Sequence, residues 1–220
     1  MQFTKAMPIA NFIARQLRKP SGWWGKVIMS RLLNAGNAAM NEFTLQQLDL
    51  STDPAIAPTE TILEVGFGGG YLLGKILDRP VVKFAAGIDF SPEMVELAKK
   101  RFSTAIAAEK LELQCASVEN IPYANTSFTK ICTVNTIYFW ADLEKALAEL
   151  ERVLIREGTL SICFNSPAFL EQQGFTRRGF LAYDINFVKN LLVALNFKNI
   201  TAISQQDTLR EEFTYISAQK

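Results

Sequence analysis

From residue 61 onward the chain alternates between two hydrophobic periods. Short apolar runs rich in β-branched residues stand at 61–67 (TILEVGF), 84–90 (FAAGIDF), 111–117 (LELQCAS), 128–135 (FTKICTVN) and 158–165 (GTLSICFN). Between them, apolar residues recur at helical spacing over about 69–78, 92–107 and 141–154. Strands that alternate with helices predict βαβ units, and so a parallel sheet covered by helices on both faces. The pattern changes near the end. After a helix expected at 184–195, FKNITAIS and EFTYISAQ follow each other with no helix-length spacer, and strands joined that closely pair antiparallel. The expected architecture is α/β: a mostly parallel seven-stranded sheet with an antiparallel C-terminal hairpin at or near one edge.

The N-terminal part reads differently. Ile9, Phe12, Ile13 and Leu17 lie at helical spacing within 8–19, KPSGWWGK breaks the pattern with Pro20, Gly22 and Gly25, and further helical stretches run through 26–33 and 37–49. The Pro-containing segment STDPAIAP then separates this part from the body. Residues 1–50 are expected to form a helical arm or lid within the same domain as the body, 51–220. Residues 1–41 carry six bases and no acid, whereas the remainder carries 17 bases against 22 acids. A basic arm on a mildly acidic body suits a lid with a solvated face, or a peripheral contact with anionic lipid. No nucleic-acid partner is expected, since the body is acidic and holds no recognised binding module.

Composition removes other classes. With 49% hydrophobic and 20% charged residues the 220-residue chain is ordinary globular protein. No apolar run approaches the ~18–20 residues of a membrane span. Asn11 and Arg15 interrupt the N-terminal apolar stretch, unlike a cleavable signal, so a cytoplasmic location is expected. Cys115, Cys132 and Cys163 sit in apolar segments and read as buried reduced thiols; without a CxxC pair no metal is expected. The chain has no histidine, which excludes Ser-His-Asp and Cys-His catalysis.

The glycine cluster in TILEVGFGGGYLLGKI, between a strand and a helix, marks a nucleotide-like site. The dinucleotide fingerprint GxGxxG fails in both registers: counted from Gly66 its sixth position is Tyr71, and counted from Gly68 it is Leu73. What fits is Glu64-x-Gly66-x-Gly68-x-Gly70. A carboxylate two residues before the first glycine repels a pyrophosphate and suits a cationic amino group. Glycines there let the backbone turn sharply and approach the ligand. Asp89 ends the next strand, where a carboxylate accepts hydrogen bonds from both ribose hydroxyls, and Ser91-Pro92 starts the following helix.

Together with SVENIPYANTSFTKI and ALAELERVLIREGTLSI, the segments LEVGFGGG and GIDFSPEMVELAKKR resemble the class I S-adenosylmethionine (SAM)-dependent methyltransferases over about residues 60–165. The likeness is to the small-molecule branch that includes ubiquinone/menaquinone C-methyltransferases. It implies a Rossmann-like sandwich, SAM as cofactor and S-adenosylhomocysteine as product. It implies that Glu64, Gly66, Gly68 and Gly70 hold the methionine moiety, that Asp89 binds the ribose, and that Phe90 lies against the adenine. Ser117 and Val118 stand where the family commonly has Asp-Ala at the adenine edge, the serine being a weaker acceptor. Asn135 would lie near the transferred methyl. Ile155-Arg156-Glu157-Gly158-Thr159 replaces the usual Lys-Pro-Gly-Gly turn.

A sulfonium methyl is already a good electrophile, so alignment and exclusion of water supply much of the rate. Where the acceptor needs deprotonation, Tyr138 and Asp142 are the candidate bases; a pocket wall and a helix-start acid are their plainer roles. The segments over the strand ends, the N-terminal arm, 136–142 and 166–183, are rich in aromatic residues. A small apolar or aromatic methyl acceptor is expected, lined by Trp23, Trp24, Tyr138 and Trp140. The alternatives are a non-catalytic SAM-binding protein and, against the glycine pattern, an NAD-linked oxidoreductase. An aminopropyltransferase would want more acids after the fourth strand than Asp142.

Overall fold

In the computed structural model, which describes residues 37–206 and 212–220, the apolar runs become seven strands. They are β1 (Glu60–Val65), β2 (Val82–Asp89), β3 (Leu111–Cys115), β4 (Phe128–Val134), β5 (Leu154–Asn165), β6 (Lys198–Gln206) and β7 (Glu212–Gln219). One sheet holds them all in the order β3-β2-β1-β4-β5-β7-β6. The pairs among the first five strands are parallel, while β7 runs antiparallel between β5 and β6. The hairpin expected at the edge therefore places its second strand inside the sheet and leaves β6 outermost. The strand order reverses between β1 and β4, the crevice where ligands bind in such sheets.

Helices cover both faces, and neighbouring residues of each strand supply the two cores. On one face Leu63, Ile131 and Ile162 pack beneath α5 (Leu143–Val153) and α7 (Ile185–Ala194). On the other, Ile62, Cys132 and Cys163 pack beneath α1 (Ala38–Gln47), α2 (Tyr71–Leu77) and α3 (Pro92–Arg101). In α5, Leu143, Ala146, Leu147, Leu150 and Val153 form the buried stripe. Each fully buried leucine contributes about 1.5–3 kcal/mol.

Three expectations need correction, the first being Cys115, which is exposed at the end of β3 rather than buried like Cys132 and Cys163. The single helix expected over 92–107 is broken at Phe102 into α3 and the short α4 (Ser103–Ala107). The Phe102 ring is drawn against Gly70 and Gly74 of the neighbouring helix, and Arg101 donates to the Gly69 carbonyl at 2.6 Å. The fifth strand starts at Leu154 rather than 158, with a bulge in its pairing to β4 and Glu157 at φ 64°. A short helix, α6 (Pro167–Gln172), capped by Ser166, opens the segment that follows β5.

Candidate active site

After β1 the chain turns on Gly66, Gly68 and Gly70, at φ of 71°, 49° and 70°. Gly66 is required by close approach, since a Cβ there would stand 2.3 Å from the Thr136 methyl. Thr136 belongs to the loop after β4, so the turn and that loop are in contact. A Cβ on Gly68 would meet nothing within 4 Å; this position faces open space at the strand ends. All three glycine N–H groups are committed within the fold: Gly66 to the Ile88 carbonyl at 2.7 Å, Gly70 to the Phe67 carbonyl at 2.7 Å, and Gly68 to Asp89 Oδ2 at 2.9 Å. A phosphate cradle needs such donors free. These three are not.

Two carboxyl groups lie beneath and beside it. Asp89, buried at the end of β2, accepts from Gly68 through one oxygen and from the Ser91 N–H, at 2.9 Å, through the other. Burial raises its pKa, and these two hydrogen bonds oppose the rise. Each oxygen keeps a second lone pair for a ribose hydroxyl. Glu64, on β1, is 4% exposed and accepts the Leu73 N–H from the first turn of α2. Its Oε2 is buried without a hydrogen-bond partner. Desolvation, then the nearby Asp89, pushes its pKa from the ordinary 4.5 up to about 8. A cationic ligand above the turn reverses that balance by favouring the carboxylate.

The remaining residues expected against the nucleoside follow along the sheet. Phe90 is 41% exposed, an uncovered ring beside Asp89. Ser117 is exposed and its hydroxyl is hydrogen-bonded to Glu119. Val118 is placed otherwise: its side chain is buried in the core, so any contact with an adenine edge falls to its backbone.

At the end of β4, Asn135 is held at φ 57°. Its N–H continues the strand pairing to the Cys163 carbonyl at 2.8 Å. Its Nδ2 donates to Asn37 Oδ1 at 2.7 Å and to Met40 Sδ at 3.1 Å, and its Oδ1 accepts the Tyr138 hydroxyl at 2.7 Å. The Tyr138 hydroxyl also accepts the Asn165 N–H. This corrects the reading of Tyr138 as a base or a pocket wall. Its ring is buried, its hydroxyl has partners on both sides, and burial drives its pKa well above the tyrosine range. Trp140 is likewise buried in the core rather than on a wall. Asp142 is exposed and caps α5, accepting the Lys145 N–H at 3.0 Å, the plainer of the two roles expected for it. Trp23 and Trp24, and most of the basic arm, lie outside the described residues.

Two contributors went unread in the sequence, Asn37 and Asn165. Asn165 ends β5, beside Asn135 at the end of β4. A polar residue closing the strand next to a candidate site was the available signal.

The arrangement fits SAM by its own chemistry. A glycine that faces open space, a ribose-type carboxylate, an uncovered ring and a partnerless buried carboxyl oxygen suit a cationic adenosine ligand without phosphate. Comparison with known proteins agrees. Residues 63–162 match the family described as "Methyltransferase domain". An uncharacterized methyltransferase, YdaC, of Bacillus subtilis is 29% identical over 177 residues, covering 75% of this chain and 92% of the relative. A ubiquinone/menaquinone biosynthesis C-methyltransferase of Geotalea daltonii is 37% identical over 116 residues, 52% of this chain and 49% of the relative. The chain thus spans about half the length of that C-methyltransferase. Among solved structures, one from a complex between the Trm112 methyltransferase activator and a methyltransferase of Haloferax volcanii superposes with a TM-score of 0.74 at 16% identity, covering 89% of this chain and 95% of that one. Geranyl diphosphate C-methyltransferase from Streptomyces coelicolor A3(2), solved with S-adenosylhomocysteine, gives 0.69 at 13% identity over 83% of this chain and 75% of that one.

Proposed function

This chain is a class I SAM-dependent methyltransferase, and from that premise we propose that it methylates a small apolar or aromatic acceptor bound beside the ends of β4 and β5. Glu64 and the glycine turn would hold the methionine end of SAM, Asp89 the ribose, and Phe90 the adenine. Bound there, SAM supplies a methyl group on a sulfonium, an electrophile that needs no activation by the protein. The protein's part is to position the acceptor and exclude water.

The observation that carries the acceptor reading is the apolar character of the segment after β5. Leu181 donates its N–H to the Tyr138 carbonyl at 3.3 Å, which ties this segment to the loop after β4. Phe180 packs edge-on to Phe139 with ring centroids 4.7 Å apart, and stacks on Phe175 at 4.9 Å. Leu181 itself is 46% exposed. The buried, doubly bonded Tyr138 hydroxyl is not available as a base, which favours acceptors that are nucleophilic as they bind. A role for the basic arm in bringing the protein to anionic lipid belongs to the same proposal, and co-sedimentation with anionic vesicles tests it.

The test is calorimetric titration with SAM, S-adenosylhomocysteine and NAD, followed by transfer of labelled methyl to a panel of naphthols, naphthylamines and polar amino acids. Adenosyl-ligand binding with transfer to the aromatic compounds supports the reading. Faster transfer to the polar amino acids overturns the acceptor class.

A further inference from the structure

We infer that the amide of Asn165 is a recognition group for the methyl acceptor, selecting molecules that carry a hydroxyl or N–H hydrogen-bond donor over those that are wholly apolar or only accept. The inference rests on the acceptor site proposed above and narrows it.

The reasoning is an accounting of protons. Asn165 Oδ1 is buried and has no hydrogen-bond partner. A buried carbonyl left in that state costs about 1–3 kcal/mol, so a persistent orphan calls for a function. The Tyr138 hydroxyl, the Asn135 amide and the Asn165 N–H have no proton to give it. The single proton of the Tyr138 hydroxyl goes to Asn135 Oδ1. The Asn135 amide directs its protons to Asn37 and Met40. The Asn165 N–H goes to the Tyr138 oxygen. Each of these bonds also fixes a side chain, so none can swing over without orphaning another group. A donor that arrives with a ligand would satisfy it.

Position says which ligand. Cys163 and Asn165 alternate onto the face of β5 that α1 covers: Cys163 is buried in the core beneath α1, and Asn165 pairs across to Phe213, whose ring meets Phe43 of α1 at 5.6 Å. The nucleoside residues end β1 and β2 and follow β3. Asn165 stands on the opposite side of Asn135 from them, one strand further along the sheet. A molecule approaching the methyl from the β5 side passes this carbonyl; the adenosine does not.

The experiment uses the S-adenosylhomocysteine-loaded protein and two probes of one shape, 1-naphthol and 1-methoxynaphthalene, with the variants Asn165→Leu and Asn165→Asp. We expect wild type to bind 1-naphthol about tenfold more tightly than the ether. Asn165→Leu should erase that difference by weakening the naphthol alone, and Asn165→Asp, which keeps an acceptor oxygen in place, should retain it. S-adenosylhomocysteine affinity should be unchanged in both. Equal binding of the two probes by wild type would assign the amide to a bound water and overturn the inference; so would a preference that survives in Asn165→Leu, or a loss of S-adenosylhomocysteine affinity there. Melting of the ligand-free protein gives an independent readout. Replacing an orphan carbonyl by leucine should leave the melting temperature unchanged or raise it. A variant that melts lower or does not fold marks the amide as structural and overturns the inference. Should neither probe bind wild type, the aromatic-acceptor reading fails, and this melting comparison alone decides for Asn165.

Discussion

The two ends of the site are built on opposite plans. Around β1 and β2 the backbone holds the side chains. Asp89 accepts from Gly68 and Ser91, Glu64 accepts from Leu73, and the participants lie within residues 64–91. Around β4 and β5 side chains reach across the chain to distant partners. Asn135 reaches Asn37, 98 positions away, and Tyr138 meets the N–H of Asn165, 27 positions on. Backbone geometry at a tight turn is fixed by a few residue types, so the first plan tolerates little variation and serves a ligand of fixed shape. The second plan changes with any contributing element, and suits a ligand that differs from one protein to the next. Substitutions near β1 and β2 should therefore act on the methyl donor, and those near β4 and β5 on the acceptor.

The largest expected effect comes from Asp89→Ala. Loss of a charged acceptor shared by two ribose hydroxyls should lower SAM affinity at least about 100-fold, read by calorimetry, while naphthol binding by any remaining loaded protein is preserved. A drop in both affinities together would break the division of labour.

Next come the glycines, where two neighbouring positions should part company. Gly66→Ala places a left-handed alanine against Thr136 and should destabilise the protein by about 2–5 kcal/mol in denaturant titration. Gly68→Ala meets no protein atom. It should cost only about 1–2 kcal/mol of stability yet weaken SAM binding at least about tenfold. Equal effects of the two on SAM affinity would contradict the assignment of the space over Gly68 to the ligand.

Glu64 supplies a pH dependence. Its folded pKa of about 8 lies above the ordinary 4.5, so the folded protein holds this proton more tightly than the unfolded chain. Its contribution is complete below about 4.5 and is lost as pH rises through about 8. Ligand-free stability should fall across that window by an amount on the order of a few kcal/mol, and Glu64→Gln should flatten the slope. SAM affinity should run the other way, rising toward pH 8 in wild type only. A Gln variant that keeps the wild-type slope would remove Glu64 from this account.

The smallest effect belongs to Asp142→Ala. Loss of the α5 cap should cost about 1 kcal/mol, measured by thermal melting, with the transfer rate at saturating substrates within about twofold of wild type. A hundredfold slower rate would mark Asp142 as a base.

The same contrast explains what is legible in the sequence. Strands buried on both faces announce themselves as apolar runs, and the donor end of the site is a local motif, so Glu64, the glycines and Asp89 stand out from residue type and spacing alone. The acceptor end does not. Tyr138 and Trp140 look like pocket aromatics because nothing local shows that the loop after β4 folds them into the core. Asn165 is an ordinary strand-end asparagine until the protons of Tyr138 and Asn135 are followed to their partners. Phe102 sits in good helical sequence and breaks the helix because the glycines of α2 leave room for its ring.

The amide hydrogens folded back into the glycine turn also bear on which molecules compete for the site. Inside a cell, adenosine circulates chiefly as phosphate esters, and any pocket shaped for the nucleoside is exposed to them. A pocket that met them with free amides would be inhibited by the metabolic state of its surroundings. Here the N–H groups of Gly66, Gly68 and Gly70 are committed within the fold, and the Asp89 carboxyl stands beside them. Phosphate esters of adenosine should consequently compete poorly with SAM, read by calorimetric displacement.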